Sequence, residues 1–378
     1  MVNYQIPLVD LKEQYLTIKD EIHSAIDRVL NSTCFIMGEE VVSFEKEFAA
    51  FCNTRHCIGV SNGTAALHLA LLACDIRPGD EVITVPFTFI ATWEAISHTN
   101  ARTVFVDIDP KTYTIDVDQL EQAITDRTKA IVPVHLYGHP ANMNHIMEIA
   151  KKYNLKVIED AAQAHGAMFQ KQTVGTFGDI GCFSFFPAKN LGAYGDAGAV
   201  ITNDDALAVK IRLLRDHGRT EKHLHKIEGF NQRLDAIQAA ILKVKLKHLN
   251  EWTHARRRLA KSYGEMLSDL PLELPYEAPE CYHVYHLYVV RTHKRNALQA
   301  AFRQKGIETG IHYLLPLHLQ DACRYLCYKS GDFPVAEACA NTVISLPLYP
   351  ELSREHQDEI VREIKKPLQE VLPVEISF

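Results

Sequence analysis

Apolar residues recur at helical spacing near the start of the chain: Tyr15, Ile18, Ile22, Ile26, Val29 and Leu30. This predicts one amphipathic helix over residues 12–30 and a second over Glu39–Phe51. The pattern then shortens into nearly continuous apolar runs. Cys57–Val60, Glu81–Val85, Val104–Asp107, Ala130–Leu136 and the run that ends at Glu159 and Asp160 read as buried strands. Pro78-Gly79-Asp80 is a turn. Helical patterns at Asp118–Ile124 and Met143–Tyr153 separate the later runs, and Gly195–Ile201 turns back into a strand. Alternating strands and helices predict an α/β fold with a mostly parallel central sheet and right-handed crossovers. From Leu249 the character shifts. A charged helix, Asn250–Leu267, leads to prolines 271, 275 and 279, then a strand (Val284–Val290) and a helix (Ala297–Lys305). We therefore expect a large domain over 1–248 and a small α+β domain over 249–378.

Composition narrows the class. A chain of 378 residues suits two domains, and 47% apolar with 23% charged residues is ordinary for a soluble protein. A net charge of −7 gives no reason to expect nucleic acid or an anionic membrane as partner. The longest apolar stretch, Ala65–Cys74, is too short to cross a bilayer, and no basic segment followed by an apolar run opens the chain. Nine cysteines, an odd number, fit reduced thiols and a cytoplasmic location. Cys323 and Cys327 lie near His318, but no second ligand pair has zinc-like spacing, so no metal is expected.

Chemistry concentrates in Gly181–Gly192, where Lys189 sits among small and aromatic residues. Burial lowers a lysine pKa and frees its amine as a nucleophile. Upstream, Asp160 closes an apolar strand, the usual place for ligands in an open α/β sheet. Enzymes that use pyridoxal 5′-phosphate (PLP) pair such a lysine with an acid at the ring nitrogen. A third segment, Cys57–Leu69, reads as strand, small-residue turn and helix. Gly63 and Thr64 at that helix start could bind phosphate. Two basic stretches, Ile211–Gly218 and the loop Arg219–Gly229, are either solvated or suited to a diphosphate, with Arg219 and His225 the candidates.

These motifs occur in the order found in the sugar aminotransferases of the DegT/DnrJ/EryC/StrS group, PLP enzymes of fold type I. The resemblance runs from Ile6-Pro7-Leu8-Val9-Asp10-Leu11 to Ser345-Leu346-Pro347-Leu348-Tyr349. It implies a seven-strand-like mixed sheet in the large domain. Lys189 would bond to the cofactor and, once displaced by the donor amine, move a proton. Asp160 would hold the ring nitrogen protonated. Gly63, Thr64 and Ser184 would hold the phosphate, Phe89 would stack on the ring, and Gln163 would touch its phenolic oxygen. Asn231, in Gly229-Phe230-Asn231-Gln232-Arg233, would reach the partner's cofactor across a homodimer with shared active sites. Tyr313 and His318 lie in the segment resembling the sugar-facing one, and His139 stands where the group more often has glutamine. The implied reaction moves an amino group from glutamate to a ketosugar on a nucleotide diphosphate. The Arg233-Leu234-Asp235 wording favours C-3 over C-4. A PLP sugar dehydratase, a cyclitol aminotransferase and a non-catalytic regulator on the same fold remain open. Lys189 argues against the dehydratase, because some relatives of that kind replace the lysine with histidine.

Overall fold

The computed structural model describes residues 5–369; the outer ends of the two expected domains, 1–4 and 370–378, lie outside it. Seven strands form the central sheet: β1 (His56–Val60), β2 (Glu81–Thr84), β3 (Arg102–Phe105), β4 (Thr128–Ile131), β5 (Lys156–Asp160), β6 (Ile180–Ser184) and β7 (Gly198–Thr202). Their spatial order is β1-β7-β6-β5-β4-β2-β3. The run β3-β2-β4-β5-β6 is parallel throughout, whereas β7 is antiparallel to both neighbours. The chain between β6 and β7 contains no helix. Without a crossover element it returns antiparallel, since a parallel return needs a long crossover.

Neighbouring residues along the strands point to opposite faces, as a pleat requires. Val82, Ala130, Ile158, Cys182 and Val200 pack with the helix Gly63–Ala73 on one face. On the other face Ile83, Ile131 and Val157 join one core, and Phe183 and Ile201 join a second. That Gly63–Ala73 helix is apolar almost all round, which suits burial under the sheet.

Several sequence expectations shift. Residues 12–30 form two helices, Leu11–Thr17 and Lys19–Ser32, with a break at Ile18. The Thr17 hydroxyl donates to the Gln14 carbonyl at 2.8 Å, a local bond that competes with the helical ladder. The expected strand over 130–136 stops at Ile131, ahead of Pro133, which has no N–H to give a ladder. The pattern at 118–124 splits into a short helix, Val117–Leu120, and a tighter turn, Glu121–Ala123.

The expected boundary at Leu249 falls inside one 32-residue helix, Ala236–Leu267. Its first half packs against the sheet side through Ala239 and Leu242, and its second half packs Ala260, Tyr263 and Leu267 into the C-terminal unit. The composition changes because the helix changes partners, not because the chain breaks. The C-terminal unit is built on an antiparallel pair, Tyr288–Arg291 with Val343–Leu346, and the helices Arg295–Gln304 and Arg354–Gln369. Ile6 pairs with Ile307 and belongs to that core, while Leu317, Phe333 and Val343 pack with the sheet's core.

Candidate active site

The carboxyl ends of β5 and β6 lie side by side, with Asp160 opposite Cys182. Asp160 ends β5 and is buried. Its Oδ2 accepts from the Thr92 hydroxyl at 2.8 Å and its Oδ1 from the Ala162 N–H at 3.2 Å. Burial raises its pKa, opposed by those two donors and by the Lys189 amine. Lys189 follows Ser184, the last residue of β6, on a closed loop. The Ala193 N–H donates to the Phe185 carbonyl and the Lys189 N–H to the Phe186 carbonyl, each at 2.8 Å. Gly192 is required in this loop, because a Cβ there would lie 2.2 Å from the Pro187 carbonyl oxygen. Burial lowers the Lys189 amine to about 8, with Asp160 pulling the other way. The amine is thus a usable nucleophile near neutral pH.

The turn at residues 62–64, which follows β1, closes on Ser184 at the end of β6. Asn62 caps the Gly63–Ala73 helix, its side chain accepting from the Ala65 N–H at 2.8 Å. The first-turn N–H groups of Gly63 and Thr64 have no helical acceptor. A Cβ on Gly63 would lie 2.6 Å from the Ser184 Cβ, so the helix start and Ser184 share one small cradle. Gly198 at the start of β7 is equally tight, since a Cβ there would meet the Asn62 carbonyl oxygen at 2.4 Å. Helix-start donors, a hydroxyl, a buried carboxylate and a perturbed amine are the donor set that the phosphate, ring nitrogen and aldehyde of PLP require. The residues present fit that group.

Other expected residues converge here. The Gln163 amide is fixed at both ends: its Oε1 accepts from the Tyr137 N–H at 2.8 Å, and its Nε2 donates to the Tyr313 hydroxyl at 3.0 Å. Tyr313 is electrostatically coupled to Asp160. The exposed Phe89 ring stands 6.3 Å from the Tyr313 ring, tilted by 39°. A bond from the Tyr137 hydroxyl to the His312 carbonyl ties the same segment down.

The remaining candidates are placed otherwise. His139 is buried with both ring nitrogens engaged inside the chain. Its Nδ1–H donates to the Pro140 carbonyl at 2.7 Å, and its Nε2 accepts from the Ala278 N–H at 3.2 Å. Burial holds its pKa below the ordinary value, which fits this neutral form. His139 thus ties the turn that follows Leu136 to Ala278. His318 is also buried; its Nε2 bonds Glu337 Oε1 at 3.0 Å and its ring packs edge-on to Phe333. Arg219 pairs with Asp216, which also holds Arg233 at 3.3 Å. The expected basic loop contains a short hairpin, Arg219–Glu221 with Leu224–His225, where His225 Nδ1 donates to the His217 carbonyl at 2.8 Å. Asn231 is exposed, and its backbone bridges to Asp216.

Two contributors were absent from the sequence reading. Thr92 reaches Asp160 across 68 positions. Glu159 backs the site from β5: it accepts from His135 Nε2 at 2.9 Å and from the N–H groups of Gly175, Phe177 and Gly178 at 2.6–2.8 Å. An acid beside Asp160 in an apolar strand was the available signal. Among the described residues no group of side chains could hold a metal ion, and no helix is long and apolar enough to cross a membrane.

Comparison with known proteins gives the same picture. The model of the DegT/DnrJ/EryC1/StrS aminotransferase family matches residues 16–365. The chain is 49% identical to a pleiotropic regulatory protein of Geobacillus stearothermophilus, over 95% of this chain and 97% of that one. It is 46% identical to the UDP-N-acetyl-3-dehydro-alpha-D-glucosamine 3-aminotransferase of Acidithiobacillus ferrooxidans, over 97% and 99%. Among solved structures, S. venezuelae DesV in complex with a ketimine intermediate superposes with a TM-score of 0.95 at 43% identity, covering 97% of this chain and 99% of that one. Other neighbours of the fold were solved in a PLP form or with PMP as bound cofactor.

Proposed function

This chain belongs to the DegT/DnrJ/EryC1/StrS aminotransferase family, and we propose that it moves an amino group from glutamate to C-3 of a ketosugar carried on a nucleotide diphosphate. The observation that carries the reading is the perturbed Lys189 amine, which interacts with buried Asp160 and lies five residues after Ser184, which forms a cradle with Gly63. When bound, PLP supplies an aldehyde that bonds amines and a ring that accepts the electron pair released at the amino-bearing carbon.

The chain's own residues do the rest. Asp160, kept in place by Thr92, holds a proton on the ring nitrogen. Gly63, Thr64 and Ser184 hold the phosphate. Gln163 and Tyr313 stand as a hydrogen-bonded pair that orients the phenolic edge. Lys189, an amine that titrates near neutrality, would move a proton between the amino-bearing carbon and the cofactor's C4′, in opposite directions in the two half-reactions. The same groups serve both half-reactions, because each half reverses the other.

We further propose a homodimer with shared sites, in which exposed Asn231 serves the partner's cofactor. Nine free cysteines favour a reducing compartment, and we propose the cytoplasm. The regulatory name of the Geobacillus relative favours a second, non-catalytic reading. One experiment separates the two. The PLP-loaded protein should show a visible absorbance band that glutamate discharges and a nucleotide-linked 3-ketosugar restores, with product NMR placing nitrogen on carbon 3. A band untouched by glutamate would favour the regulator. Nitrogen on carbon 4 would refute the regiochemistry alone.

A further inference from the structure

A second buried lysine lies behind the first. Lys245, on the Ala236–Leu267 helix, is 1% exposed. Its ammonium donates to the Gly192 carbonyl at 2.6 Å, three residues beyond Lys189. It stands 4.9 Å from the centre of the Tyr194 ring and 5.9 Å from that of Trp252. Burial draws its pKa down to about 7, with Glu351 opposing. An amine donates to a carbonyl in either protonation state, so this contact survives titration.

Lysine is almost never fully buried unless paired. Methionine has similar length and would suit two aromatic neighbours with no desolvation cost. What only a donor supplies here is the grip on Gly192. The same helix takes hold of the loop once more: Gln238 Oε1 accepts from the Tyr194 N–H at 2.9 Å. Nearer to Lys189, Asn190 donates to the Val284 carbonyl and meets His286 Nδ1, both at 3.2 Å. The segment that follows the reacting amine is therefore tied at Asn190, Gly192 and Tyr194.

We propose that Lys245, with Gln238, is a positioning residue: it fixes the Gly192 carbonyl and so the place from which Lys189 transfers protons. The proposal rests on the reading of Lys189 given above. Small displacements of a reacting group cost large factors in rate, so loss of the grip should appear in kcat and not in substrate binding.

The test compares PLP-loaded wild type with Lys245→Met and Lys245→Gln. Lys245→Met should fold and load cofactor, yet lose about tenfold to a hundredfold in kcat, with KM for both substrates within about twofold. The pH titration of its visible absorbance should move, because the environment of Lys189 has changed. Lys245→Gln, which restores a donor, should recover part of both. A Lys245→Met enzyme with wild-type kcat and titration overturns the proposal. Equal impairment of the two variants, tracking a loss of thermal stability, also overturns it. If Lys245→Met does not fold, Gln238→Leu takes its place with the same readouts, and wild-type values there are equally fatal. The absorbance titration needs no sugar, so a wild type that titrates normally but fails to turn over the ketosugar counts against the substrate reading alone.

Discussion

At the scale of single residues, the Lys189 amine sits near 8, against an ordinary 10.5. At pH 7 about a tenth of it is neutral, roughly three hundredfold more than for an exposed lysine. The sign follows from the direction. Between about 8 and 10.5 the unfolded chain keeps a proton that the folded apoprotein has released, so stability from this group rises with pH across that interval and is lowest below it. The rate at which the apoenzyme captures PLP covalently should rise about tenfold per pH unit below about 8 and level off above, as followed by stopped-flow absorbance. A rate that goes on rising about tenfold per unit from pH 8 to about 10 would mean that the amine is unperturbed. Lys189→Ala should abolish turnover while the cofactor stays bound non-covalently, as checked by dialysis and absorbance, because Asp160, Thr64 and Ser184 do not depend on the bond. The sequence singled out Lys189 and Asp160 as a lysine among apolar residues and an acid at a strand end, but their expected roles came from the family resemblance, since neither local pattern excludes a plain structural residue. The tasks of His139 and His318 were not legible. What each does is set by Ala278 and Glu337, 139 and 19 positions away, and no local pattern reports such partners.

At the scale of elements, β5 ends in two adjacent acids with opposite tasks. Glu159 takes four donors from the chain, and Asp160 faces the site. Glu159→Gln turns an acceptor-only group into one that brings N–H against N–H. It should cost about 2–3 kcal/mol in urea unfolding and weaken PLP binding by shifting the strand end. Stability equal to wild type would show that the 175–178 turn does not need the carboxylate. Gly63→Val should instead spare the rest of the fold and strike the cradle, because a Cβ there falls 2.6 Å from Ser184. Cofactor affinity, measured by absorbance titration, should drop by about tenfold or more; unchanged affinity would remove Gly63 from the phosphate site. The strand and helix sequence was readable because buried strands and amphipathic helices differ in period. The break at Ile18 and the early end of β4 were not, since each turns on one hydroxyl or one proline.

At the scale of the whole molecule, shared sites predict complementation. Lys189→Ala alone should be dead, and Asn231→Asp, which sets a carboxylate beside a phosphate, badly impaired. Co-expressed in equal amounts, about half the dimers are mixed and about a quarter of all sites have wild-type composition. Activity returning towards that level supports sharing. Activity no higher than that of the separate variants, despite shown subunit exchange, rules out a role for Asn231 in trans. The passage of one helix from the first core to the other was legible only as a change of composition, because the helix shows no break in its pattern. The position of β1 in the sheet has a further consequence, for the order in which the molecule can be made. Its sheet partner is β7, with Val60 opposite Gly198, 138 residues later (198 − 60). At about 5–20 residues per second, a ribosome needs about 7–30 s to supply that partner. For most of that interval the Asn62-Gly63 turn lacks Ser184, and for all of it Gly198, the residues against which it closes. The proposed phosphate cradle would therefore come into existence late in synthesis, and a nascent chain shorter than about 200 residues would have nowhere to seat the cofactor.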